Sequence, residues 1–156
     1  MIELIISFIG IASGQFAEVV DNTMLTLALP TISNDMNIPL SFAQWIPITF
    51  VLATSSFLLP MGKLSDIYGR KKIYLVGLVI FGIFVNLAGR SEILITLILF
   101  KSLQGIGSAA IQSNGMTMLL LLFKKQDRGA SFGIFMSIIG IGSITGPIIG
   151  GYIIDN

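Results

Sequence analysis

Five long apolar stretches separated only by short polar breaks constrain this chain more than any other feature. They cover residues 4–32, 42–61, 73–89, 93–122 and 130–153. A helix that crosses a bilayer needs about 20 mostly apolar residues, because the hydrocarbon core is roughly 30 Å thick and a helix rises about 1.5 Å per residue. Each stretch approaches or exceeds that length. The breaks, residues 33–41, 62–72, 89–92 and 123–129, leave no room for a soluble domain. The expected fold is therefore all-α, a polytopic transmembrane bundle of five helices over residues 1–156, with lipid as the solvent for much of its surface. Composition agrees: charged residues make up 11% of the chain, against roughly a quarter in a soluble domain.

Charge gives the expected orientation. Lys63, Arg70, Lys71 and Lys72 fall in the second break, and Lys124, Lys125 and Arg128 in the fourth, so these two breaks hold seven of the nine Lys and Arg residues. By the positive-inside rule both are cytoplasmic, which places the N-terminus inside and Asn156 outside. Trp45, at the outer start of the second stretch, suits the aromatic belt of a membrane interface. The first stretch does not read as a cleavable signal peptide. It opens with Met1, Ile2 and Glu3 instead of basic residues, and its apolar run continues past Glu18 and Asp21.

Several function classes are excluded early. A net charge of +1 argues against a nucleic-acid partner. The chain has no cysteine and no histidine, which removes disulfides, thiol nucleophiles, zinc ligation and imidazole acid–base chemistry. The remaining Asp, Glu, Lys and Ser residues form no nucleophile–base constellation, so neither an enzyme nor a resident metal or cofactor is expected.

Three ionisable residues interrupt the apolar helices: Glu18, Asp21 and Lys101. Unpaired in lipid, each costs several kcal/mol, so such residues face a cavity or a partner. Glu18 and Asp21 are spaced i, i+3 and share one helix face. A carboxylate that takes a proton near neutral pH is what proton coupling requires. Asp21 and Lys101 lie about 17 Å and about 12 Å below the outer ends of their antiparallel helices. Their similar height predicts an ion pair between Lys101 and either Asp21 or Glu18 across a polar cavity, or else a static pair that only fixes helix register.

Lys101, Gln104, Ser108 and Gln112 form a polar stripe down one face of the fourth stretch, flanked by Gly105 and Gly107. The stripe reads as a water-lined path, with interhelical glue as the simpler alternative. In the fifth stretch Gly129, Gly133, Ser137, Gly140, Ser143, Gly146 and Gly150 recur every three or four residues, which lets two backbones approach closely. Pro147 removes one backbone hydrogen bond and favours a kink, either as part of tight packing or as a hinge.

Together these segments resemble the major facilitator superfamily. The most specific match is the loop GKLSDIYGRKK, where Gly62, Leu64, Asp66, Gly69, Arg70 and Lys71 fit the family's loop between helices two and three. In that reading the glycines permit the tight turn, and Asp66 and Arg70 form charge-assisted bonds that hold the cytoplasmic gate. Asp21, Asn22 and Thr23, followed by Ala28, Leu29 and Pro30, resemble the first-helix signature of the drug:proton antiporters, particularly the fourteen-helix branch. LFKSLQGIGSAA resembles the fourth-helix signature, with Gln104, Gly105 and Gly107 in place. It has Lys101 where the family usually has arginine; lysine keeps the charge but, unlike arginine, is able to lose its proton. GSITGPIIGG resembles the antiporter motif through Gly142, Gly146, Pro147, Gly150 and Gly151.

The resemblance implies proton-coupled export of small, hydrophobic or cationic, drug-like molecules across the cytoplasmic membrane by alternating access. Protons are the coupling ion and no cofactor is implied. Glu18, Asp21, Lys101 and Gln104 are the expected coupling and cavity residues. Family bundles hold six helices each, so the chain is expected to be incomplete, with a missing C-terminal helical bundle as partner beside the lipid bilayer and the substrate. The alternative is a pore-forming or assembly subunit of a membrane complex without transport activity of its own.

Overall fold

The computed structural model describes residues 2–155; Met1 and Asn156, the termini assigned to opposite faces, lie outside the described residues. The elements run α1 (Ile2–Asp35), α2 (Leu40–Ala43), α3 (Trp45–Tyr68), α4 (Arg70–Ala88), α5 (Leu94–Leu122) and α6 (Arg128–Asp155). No strand occurs among the described residues. α2 is a single turn that starts after the extended Pro39 and leads through Gln44 into α3. The two together form one of five spans that are long and apolar enough to cross a membrane. Outward faces carry exposed Leu59, Ile67, Ile95 and Ile148, as a lipid-facing surface requires.

The segment 62–72, expected as a loop, is helical at every residue but one. α3 runs on to Tyr68, α4 begins at Arg70, and Gly69 alone joins them at φ 97°. That left-handed conformation favours glycine, which has no Cβ to clash. The Gly69 N–H closes α3 on the Ser65 carbonyl at 2.9 Å, and the Gly69 carbonyl accepts from Ile73 N–H at 3.2 Å to open α4. Gly62 lies inside α3 with open space around it, so it makes no turn. Hydropathy marks where a chain leaves lipid, whereas a helix satisfies its own backbone on either side of that boundary. The same reason carries α1 past residue 32 to Asp35, through Pro30.

α5 is the most buried of the five spans, and its glycines explain how. A Cβ added at Gly105 would meet the Phe50 carbonyl oxygen at 2.6 Å and Ala53 Cβ at 2.9 Å, both on α3. A Cβ at Gly107 would meet Phe81 N at 2.7 Å and the Gly77 carbonyl at 2.8 Å on α4. Thr54 Oγ1 secures the α3 contact by donating to the Gly105 carbonyl at 3.2 Å. α6 packs on α1 instead, with Gly142 against Phe16, Gly146 against Thr23 and Gly150 against Met24. α5 thus holds α3 and α4, α1 holds α6, and the α1–α5 contact joins the two groups.

Because α4 and α5 touch through bare backbone, Gly107→Val is expected to lower stability by about 1–3 kcal/mol, the usual cost of overpacking. Gly82→Val, where an added Cβ meets nothing within 4 Å, should stay within about 0.5 kcal/mol of the parent. Thermal unfolding of the two variants in one detergent checks the difference.

Candidate functional site

The α1–α5 contact is where the polar residues of the two helices meet. Lys101 Nζ donates to Asp21 Oδ1 at 3.0 Å and to Oδ2 at 2.9 Å, forming an ion pair. Gln104 Nε2 adds a bond to Asp21 Oδ2 at 2.7 Å. One turn further along α5, Ser108 Oγ and Gln112 Nε2 both donate to Glu18 Oε1. Of the two partners expected for Lys101, the structure selects Asp21.

The stripe Lys101, Gln104, Ser108 and Gln112 therefore spends its donors on the two carboxyl groups. This corrects the expected water-lined path, because Gln104 and Ser108 are fully buried and Lys101 is 5% exposed. Only Gln112 is exposed. The physical reason is stoichiometric: two acids on one face of α1 demand several donors at matching heights, and spacing of three and four residues on α5 supplies them.

Asp21 and Lys101 border an apolar groove of about 900 Å³ lined by Val20, Met24 and Ala28 of α1 and Phe81 and Val85 of α4. Asp35 and Glu92 also line it. Between the same helices and α5, a second groove of about 550 Å³ is lined by Ser7, Arg70, Lys71, Tyr74 and Leu121. Tyr74 was not singled out in the sequence, where it reads as an ordinary helix aromatic. It is buried and its hydroxyl donates to the Ile11 carbonyl at 2.9 Å, tying α4 to α1.

The other motif residues occupy separate places. Asp66 and Arg70 form a solvent-exposed pair at 3.1 Å that spans the Gly69 turn; Lys71 follows on α4 beside the second groove. In α6, Gly142, Gly146 and Gly150 face α1 and Pro147 sits within the helix, whereas Gly151 meets nothing within 4 Å. The regular glycine stripe expected over the whole helix splits. Gly129, Gly133 and Gly140 have open space around them, so among these glycines only Gly142, Gly146 and Gly150, in the part bearing the antiporter-like motif, pack closely on α1. Phe135 buries the earlier part of the helix against α1 and α5. The motif-bearing part touches α1 at Phe16, Thr23 and Met24, in the stretch of the helix that carries the two acids.

A family profile described as Major Facilitator Superfamily matches residues 11–156. The chain belongs to the major facilitator superfamily. It is 34% identical over 151 residues to a riboflavin transporter of Clostridioides difficile, covering 97% of this chain and 33% of that protein. Multidrug resistance protein 3 of Bacillus subtilis is 34% identical over 148 residues, covering 95% of this chain and 29% of the relative. A tetracenomycin C resistance and export protein of Streptomyces glaucescens is 29% identical over 150 residues, 96% of this chain and 28% of its own length. The chain spans about a third or less of the length of these curated relatives. Family membership and the five apolar spans make it a multi-pass membrane protein of a transporter family, not an enzyme.

The pairing of Lys101 with Asp21 has a direct consequence for stability. Lys101→Met leaves a carboxylate unpaired in the interface and is expected to cost about 3–5 kcal/mol. Adding Asp21→Asn should recover most of that loss, since no charge then remains to be matched. A double-mutant cycle by denaturant unfolding in mixed micelles measures the coupling.

Proposed function

We propose that this chain forms part of a proton-coupled exporter that moves small hydrophobic or cationic molecules by alternating access. The observation that carries the reading is the buried charge network between α1 and α5, set in the fold of a transporter family. Buried ion pairs contribute little net stability, because desolvation offsets their attraction. Charges kept inside an apolar bundle accordingly mark ion or proton pathways. In an alternating-access cycle the two bundles rock about a midplane site, and a change in protonation of an α1 acid weakens or restores its hold on α5.

Substrate class is supported by the relatives. Two of the three described above are named for multidrug resistance or for tetracenomycin C resistance and export, while the third is named for riboflavin transport. The proposed orientation rests on the basic residues: Lys63, Arg70, Lys71, Lys72, Lys124, Lys125 and Arg128 cluster around the α3–α4 and α5–α6 junctions, which the positive-inside rule assigns to the cytoplasmic side. Asp66 and Arg70 then pair at the cytoplasmic surface, where the family resemblance places a gate. The reading needs a second helical bundle beyond the five spans described, and it assigns coupling to Glu18, Asp21, Lys101 and Gln104.

The test is export of a lipophilic cationic dye from vesicles under an imposed pH gradient, using this chain together with the remainder of the two-bundle fold. Saturable efflux that collapses with the gradient is expected, and Lys101→Ala should uncouple it. Unchanged gradient-driven efflux in Lys101→Ala would remove the proposed role of the pair. Ohmic conductance indifferent to the gradient would replace the transporter reading with a pore.

A further inference from the structure

The two acids of α1 are held in different ways. Asp21 is matched on both oxygens, with Lys101 as a resident cation and Gln104 as a third donor. Glu18 is 3% exposed, and both of its donors converge on Oε1. Its Oε2 is buried without a hydrogen-bond partner, and so is Oε1 of Gln104, which lies one turn from Ser108 on α5. Asn114 Oδ1 of α5 is a third such oxygen, and of the three only the carboxylate oxygen can take up a proton and become a donor. A proton on Glu18 Oε2 turns one of those acceptors into a donor and removes an anion that nothing else neutralises.

The groups around Glu18 leave no other candidate for that role among the described residues. On α1 the neighbour is Asp21, a like charge whose cation, Lys101 of α5, is already engaged. On α4 it is Tyr74, whose hydroxyl is committed to the Ile11 carbonyl. The titratable residues of α3, Lys63, Asp66 and Tyr68, are all exposed at the far end of that helix. The titratable residues of α6, Arg128, Tyr152 and Asp155, belong to its first turn and its last four residues. A carboxylate buried without a counter-charge is costly enough that the neutral acid is the form a protein accommodates. Access is provided by Gln112, which is exposed while Glu18 and Ser108 are buried.

We infer that Glu18, and not Asp21, carries the exchangeable proton of this transporter, while Asp21 is the fixed counter-charge that holds Lys101. The inference rests on the exporter reading and names the residue that does the coupling. In the exchange step the O–H bond on Oε2 breaks and the proton passes to water at Gln112. The carboxylate left behind is an anion without a resident cation, so a cationic substrate matches the charge that the proton vacates. Asp21 is a positioning residue: its pair with Lys101 sets the register in which Ser108 and Gln112 reach Glu18.

Infrared spectroscopy of the chain in lipid nanodiscs tests this without any transport assay, so its failure is separable from failure of the exporter reading. The wild-type spectrum at neutral pH should contain the carbonyl-stretch band of a protonated carboxylic acid. Labelling with carboxyl-13C glutamate should shift that band, and labelling with carboxyl-13C aspartate should not. Glu18→Gln should abolish it, whereas Glu92→Gln should leave it intact. Should Glu18→Gln fail to fold, Ser108→Ala, which removes a donor from Oε1, is expected to displace the same band. A band that follows labelled aspartate, a band insensitive to Ser108→Ala, or no acid band at neutral pH would each overturn the assignment.

Discussion

Two acidic side chains on one face of α1 enter an apolar bundle only when a second helix brings hydrogen-bond donors to the same height. α5 does this with Lys101, Gln104, Ser108 and Gln112, and the match fixes both the azimuth and the register of the two helices. A shift of α5 by one residue would rotate the stripe about 100° away from α1 and strand both acids. Everything else is attached to this pair. α3 and α4 close on α5 at the bare backbone of Gly105 and Gly107, Tyr74 ties α4 to α1 as well, and α6 lies mainly along α1, with Phe135 buried beside Leu119 of α5.

Close backbone approach and buried charge reinforce each other here. Without a strong apolar driving force between helices in lipid, packing and interhelical hydrogen bonds supply the association. The glycines of α5 bring the neighbouring backbones near enough that Thr54 bonds to the Gly105 carbonyl. The same closeness keeps water from Gln104 and Ser108, which are fully buried. Excluding water strengthens the Lys101–Asp21 attraction while making any unmatched oxygen expensive. The contrast between a fully paired Asp21 and a half-paired Glu18 is therefore large in energy, although the two residues are three positions apart.

Much of this was legible in the residues. Length and hydropathy located all five spans, because an apolar run has few other solutions in a bilayer. The height of Lys101 relative to the α1 acids followed from helical rise alone. The four glycine- and charge-bearing motifs pointed to the family whose profile matches residues 11–156. Other features were not legible. Polarity at residues 62–72 looked like a loop, yet the backbone stays helical through it because hydropathy reports the solvent and not the hydrogen-bond ladder. Tyr74 carried no sequence signal at all, since its role depends on Ile11, which lies far from it along the chain.

The sequence by itself determined the number of spans, the helices that carry charge and the pairing of an α1 acid with Lys101, because these depend on local spacing and on the thickness of a membrane. Only the tertiary structure decided which acid Lys101 takes, where the polar stripe points and which glycines of α6 are packed. Those outcomes depend on the angle at which each helix faces its neighbours. That angle is set jointly by contacts between residues some 80 to 90 positions apart, such as Asp21 with Lys101 and Glu18 with Ser108, and no local pattern encodes it.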